Sequence, residues 1–107
     1  MAGIYLERKG YQILHRGYRS RYGEIDLIVR DDRFLVFVEV KLRKNANFAR
    51  AMEYVDQRKQ EKLRITAEIF LAEHPTMLQP RFDVIEVYAP RGAETQTPEI
   101  YQLEDAF

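Results

Sequence analysis

Gly23-Glu24-Ile25-Asp26-Leu27-Ile28-Val29-Arg30-Asp31-Asp32-Arg33-Phe34-Leu35-Val36-Phe37-Val38-Glu39-Val40-Lys41 decides the reading of this chain. Asp31-Asp32-Arg33 is a polar turn between two apolar runs, so the stretch predicts a β-hairpin with strands over residues 24–29 and 34–42. In the first strand Ile25, Leu27 and Val29 alternate with Glu24, Asp26 and Ile28, which predicts one strongly apolar face. The second strand is almost continuously apolar, as expected of a strand covered on both faces in the middle of a sheet.

Asp26, Glu39 and Lys41 interrupt these runs. An unpaired charge inside a sheet core costs several kcal/mol, roughly, so such a group persists only when paired, bound to a cation, or set at a strand end that opens into a cleft. Residues two apart in a strand share a face, so Glu39 and Lys41 project together, as do Glu24 and Asp26. If the hairpin brings these faces together, two or three carboxylates and an ammonium converge, and like charges that close require a counter-ion. Asp and Glu oxygens with an open side suit Mg²⁺ or Mn²⁺. Such an ion polarises a phosphodiester and acidifies a bound water, while Lys41 orients that water or stabilises charge on the phosphate. Metal-dependent phosphodiester hydrolysis is the reaction these parts fit. The alternative is structural, with Glu39 and Lys41 a satisfied pair at a strand end and Asp26 a turn cap.

Upstream of the hairpin, residues 4–9 predict a short helix stopped by Gly10, and residues 11–14 a strand. Residues 15–22 read as a basic, aromatic connection, a hairpin or loop. Its Arg16, Arg19 and Arg21 would hold a nucleic-acid backbone, and Tyr18 and Tyr22 would stack on bases, unless the segment is simply solvated. Downstream, residues 49–73 predict one long helix whose buried stripe is Met52, Val55, Leu63, Thr66 and Phe70. Lys59 falls in the middle of that stripe, so it must snorkel or reach something anionic. Residues 82–88 predict another strand, parallel to a hairpin strand. Residues 89–98 read as loop, and Ile100, Leu103 and Phe107 return to the core. His15, in the basic segment, and His74, at a helix end, are minor candidates for phosphate contact and helix-dipole complementation. The element order predicts an α/β fold, a small mixed β-sheet flanked by helices, in one domain over residues 1–107.

The chain has no cysteine, which excludes disulfides, thiolate zinc sites and a cysteine nucleophile. With no apolar run near the roughly 20 residues of a membrane span and no signal peptide, a cytoplasmic protein without a membrane partner is expected. Net charge is zero, yet residues 1–64 carry 15 Lys/Arg against 9 Asp/Glu while residues 65–107 carry 2 against 8. That asymmetry is compatible with a basic face for nucleic acid and with ordinary solvated charge.

Gly23-Glu24-Ile25-Asp26-Leu27-Ile28, Val36-Phe37-Val38-Glu39-Val40-Lys41 and Arg81-Phe82-Asp83-Val84 resemble the bacterial YraN-like family, uncharacterised proteins similar to archaeal Holliday-junction resolvases of the PD-(D/E)xK nuclease superfamily. The resemblance spans nearly the whole chain and implies a restriction-endonuclease-like core. It implies Mg²⁺ or Mn²⁺ held by Asp26, Glu39 and the Val40 backbone carbonyl, Lys41 as the catalytic lysine, and Lys59 approaching from the helix. The implied activity is endonucleolytic hydrolysis of DNA, with branched or single-stranded forms expected, and the implied assembly a homodimer. The alternative is an inactive nucleic-acid-binding protein with a nuclease fold. Family members usually carry a further Gly-x-x-Gly-Glu-x-x-Ala turn, and by that resemblance an N-terminal helix shortened relative to the family is expected. Glu7 does not hold that motif's position; Glu24 is either the source of that negative charge or a structural residue at the strand end.

Overall fold

The computed structural model describes residues 1–43, 55–89, 91, 94 and 96–107. At the hairpin turn the Asp31 carboxylate accepts the backbone N–H groups of Arg33 (2.9 Å) and Phe34 (2.7 Å), which orders the reversal between β2 (Gly23–Arg30) and β3 (Phe34–Arg43). β2 and β3 pair antiparallel from Leu27 opposite Val38 to Arg30 opposite Leu35. β1 (Gln12–Ser20) lies antiparallel on the outer side of β2, and β4 (Gln79–Tyr88) runs parallel to β3. β5 (Glu99–Leu103) is antiparallel to β4 and closes a five-stranded mixed sheet of order β1-β2-β3-β4-β5, with β3 at its centre as the apolar run required. Among the described residues the helices are α1 (Ala2–Arg8) and α2 (Gln57–Glu73). None of the described helices is long and apolar enough to cross a membrane.

Each face of the sheet has its own apolar layer. Ile28, Leu35, Phe37 and Val84 pack with Leu63, Ala67 and Phe70 of α2 and with Val55 just before it. On the other face Leu27, Val29, Val36, Val38, Ile85 and Val87 pack with Ala2 and Leu6 of α1. Phe107 stacks on Phe82, which brings the chain end back onto the core as expected.

Three expectations are corrected. The apolar face of residues 24–29 is split, because Ile25 joins the α2 layer although it has the parity of Leu27 and Val29. The change of face falls between Leu27 and Ile25, beside Gly17 of β1, whereas the register shift of the β1–β2 pairing lies earlier, between Ile13 and His15. Gly17 has φ of +61°, a conformation that tips successive side chains onto unexpected faces and is open chiefly to glycine. Gly17→Ala is therefore expected to cost about 1–2 kcal/mol in chemical denaturation, with Gly17→Asn closer to wild type.

The strand expected over residues 11–14 runs on as β1 to Ser20, so of the two readings of residues 15–22 the hairpin holds and the loop does not, with the turn at residues 21 and 22. The pairing of His15 with Ile28 and Arg16 with Leu27 gives this polar sequence a hydrogen-bonded partner that its composition does not reveal. Finally, α2 begins at Gln57: Asp56 has an extended backbone and caps the helix by accepting the N–H of Lys59, so residues 55 and 56 precede it. Residues 49–54 of the expected helix, Met52 among them, lie outside the described residues.

A second charged cluster ties the frame together. Asp83, 0% exposed, accepts two bonds from the Arg81 guanidinium (both 2.9 Å), one from Gln102 (2.7 Å) and one from the Asp105 backbone (3.1 Å). Arg81 also donates to the Tyr11 hydroxyl (2.7 Å) and lies over the Phe34 ring.

Candidate functional site

The β2–β3 ladder ends at the Leu27↔Val38 pair, and Asp26 occupies the gap that opens immediately beyond it. Its Oδ2 accepts the Val40 N–H at 2.7 Å, so a side-chain carboxylate takes the place of a ladder bond. A strand residue turns its N–H and C=O toward the same neighbour, so the Val40 carbonyl is directed to this gap as well. Glu39 and Lys41 follow Leu35 and Phe37 on the α2 face of β3. The Asp56 cap sets Lys59 in the first turn of α2, above that face. Lys59 Nζ donates to Glu39 Oε1 at 3.0 Å, and Lys41 Nζ lies 3.5 Å from the same oxygen. The lysine that falls on the apolar stripe thus reaches an anion, one of the two outcomes its position allowed.

The electrostatics are those of charges crowded under partial burial. Burial raises the Asp26 carboxyl above its ordinary range, the Val40 N–H lowers it, and the Glu39 and Glu24 carboxylates raise it again. Burial and the neighbouring Lys59 lower the pKa of Lys41. For Lys59 burial acts downward, but its hydrogen bonds and Glu39 prevail and raise it.

Around this centre the other sequence-predicted residues divide. Arg19 Nε donates to Glu24 Oε2 at 2.6 Å, so Glu24 is paired at the surface and adds negative charge near Asp26. Arg16 and Asp26 line one cleft of about 510 Å³ together with Gly3, Val40 and Leu42. Arg21 lies over the exposed Tyr22 ring in the β1–β2 turn. Tyr18 does not join them: its ring packs edge-on against His15 and Phe70 and its hydroxyl donates to Glu73, which commits the side chain to the β1–α2 contact rather than to base stacking. His15 and His74 border a separate cleft of about 340 Å³ lined also by Arg30.

Sequence reading missed Glu86. It sits on β4 directly opposite Lys41, is 3% exposed, and its Oε1 has no hydrogen-bond partner among the described residues. A lone glutamate in an alternating strand carries no signal of this, because the neighbour is set by the register of a parallel pairing formed across the whole of α2.

Among the described residues no three His, Cys, Asp or Glu side chains gather to hold a metal ion by themselves. The donors at the centre are two carboxylates and a backbone carbonyl, all hard oxygens. That set fits Mg²⁺ or Mn²⁺, which bind through one or two carboxylates and retain several waters.

Comparison with known proteins places the chain. The model of uncharacterised protein family UPF0102 matches residues 1–87. A UPF0102 protein of Caldanaerobacter subterraneus subsp. tengcongensis is 45% identical over 89 residues, which is 82% of this chain and 73% of that protein. One from Vibrio parahaemolyticus is 44% identical over 90 residues, 82% of this chain and 74% of that protein. One from Chloroherpeton thalassium is 41% identical over 112 aligned residues, covering 100% of this chain and 87% of that protein. The chain belongs to the UPF0102 family, the uncharacterised YraN-like family to which its hairpin motifs pointed.

Proposed function

We propose that this protein is a metal-dependent endonuclease-like protein that hydrolyses phosphodiester bonds in DNA, built on a restriction-endonuclease-like core. The observation that carries the reading is the gap between β2 and β3, where Asp26 accepts from Val40 while Glu39, Lys41 and Lys59 meet beside it. In this reading Asp26, Glu39 and the Val40 carbonyl hold Mg²⁺ or Mn²⁺. An ion held there would supply Lewis acidity to a phosphodiester and make water more acidic.

The chain's own groups do the rest. Lys41 Nζ, whose charged form is disfavoured by burial and by Lys59, orients the attacking water or neutralises charge on the phosphate. Lys59 keeps the Glu39 carboxylate aimed into the gap. Arg16, on the wall of the Asp26 cleft, and Arg21 and Tyr22, at the adjoining turn, take the backbone and an exposed base of DNA in branched or single-stranded form.

A second reading, an inactive nucleic-acid-binding protein with the same fold, is favoured by one observation: two ammonium groups already neutralise Glu39 Oε1. Calorimetric titration with Mn²⁺ and Mg²⁺, followed by cleavage assays on duplex, single-stranded and branched DNA, separates the two. The nuclease reading expects metal binding that disappears in Asp26→Ala and Glu39→Ala, together with cleavage of at least one DNA form. Salt-dependent DNA affinity without cleavage selects the binding protein. Absence of both metal and DNA binding overturns both readings.

A further inference from the structure

Glu86 is a buried carboxylate whose Oε1 has no hydrogen-bond partner among the described residues, beside a site in which another carboxylate has two cations on one oxygen atom. Burying a carboxylate oxygen without a hydrogen-bond donor is costly, so Oε1 calls for a cation that reaches it in some state of the protein. The parallel ladder supplies one. Lys41 and Glu86 are direct partners in the β3–β4 register, and both project to the α2 face, which the alternation of Phe37, Glu39 and Lys41 against Val84 and Glu86 establishes. Partners in a ladder stand roughly 5 Å apart at the backbone, within reach of a lysine side chain. In the state described here the Lys41 ammonium lies instead 3.5 Å from Glu39, which Lys59 already serves at 3.0 Å.

We propose that Glu86 is a positioning residue, the alternative counter-ion that holds Lys41 when the Glu39 carboxylate is engaged by a divalent cation. The inference rests on the metal reading above. A cation on Glu39 would repel the ammonium beside it; transfer of Lys41 toward Glu86 would relieve that repulsion, give Glu86 Oε1 a charge partner, and leave Lys59 to orient Glu39. The other cation on this face of β3 is Arg43, whose ladder partner is Tyr88, one alternate position beyond Glu86.

A thermodynamic cycle read by Mn²⁺ calorimetry tests this without any cleavage assay. Glu86→Gln is expected to weaken Mn²⁺ binding about tenfold, the scale of an outer-shell partner at metal sites. Lys41→Met removes the competing ammonium, and in that background Glu86→Gln is expected to change affinity less than about twofold. Glu86→Asp, which shortens the reach but keeps the charge, should fall between wild type and Glu86→Gln and serves if the amide does not fold. An unchanged affinity in Glu86→Gln, or an equal loss in the Lys41→Met background, overturns the proposal. So does a cycle in which Arg43→Met rather than Lys41→Met abolishes the effect. Failure of wild type to bind Mn²⁺ sinks the metal reading itself, a different outcome from a wild type that binds and a Glu86→Gln variant that binds equally well.

Discussion

Asp83→Ala is expected to destabilise the protein by about 3–5 kcal/mol, the scale on which one partner of a buried ion pair is missed by the other. Asp83 is 0% exposed and accepts four hydrogen bonds, two of them from Arg81. Truncation leaves the Arg81 guanidinium buried with the Tyr11 hydroxyl and the Phe34 face as its remaining close partners, and a more distant Glu104 at 3.8 Å. It also releases Gln102 of β5 and the Asp105 backbone, so the far edge of the sheet and the chain end loosen together. For a domain of about 100 residues each kcal/mol is about 4–8 °C in Tm, so a fall on the order of 15 °C or more is expected in a thermal melt. A fall of only a few degrees would show that the cluster does not hold the frame. The apolar pair Arg81→Met with Asp83→Leu should be far less damaging than Asp83→Ala, since it removes both charges at once.

The second large effect separates what Asp26 does for the fold from what it does for the site. Asp26→Asn keeps an oxygen to accept the Val40 N–H and so should keep the gap between β2 and β3, while removing a charge that burial already disfavours. Its stability is expected within about 1 kcal/mol of wild type, because the hydrogen bond is retained. Its Mn²⁺ affinity is expected to fall by more than the roughly 100-fold that loss of an outer-shell partner can cost, because a ligand's charge is gone. Asp26→Ala should lose the metal equally and in addition about 1–3 kcal/mol of stability, the cost of a buried N–H left without an acceptor. Calorimetry with parallel urea denaturation reads both quantities. An Asp26→Asn variant that binds Mn²⁺ like wild type would remove Asp26 from the site, whatever happens to stability.

The hairpin, the central place of β3 and the parallel return of β4 were legible because they depend on local pattern: apolar runs of strand length, a turn that accepts its own backbone N–H groups, and one helix-length connection. The convergence of Glu39 and Lys41 follows from the two-residue period of a strand, and Lys59 announced itself as a charge on an apolar stripe. Residues 15–20 were less legible, since a polar edge strand owes its conformation to the partner it pairs with rather than to its composition. The start of α2 was misplaced because helix-compatible residues precede Asp56, whose side-chain cap sets the boundary.

By itself the sequence determined which residues form each strand of the hairpin and which charges its apolar faces would have to accommodate, because those are short-range consequences of side-chain period and hydrophobicity. The tertiary structure alone decided that Asp26 would replace a ladder bond, that two lysines would share one Glu39 oxygen, and that Glu86 would lie opposite Lys41. Those contacts depend on register between strands and on where a helix begins, quantities set by packing across the chain and carried by no single segment.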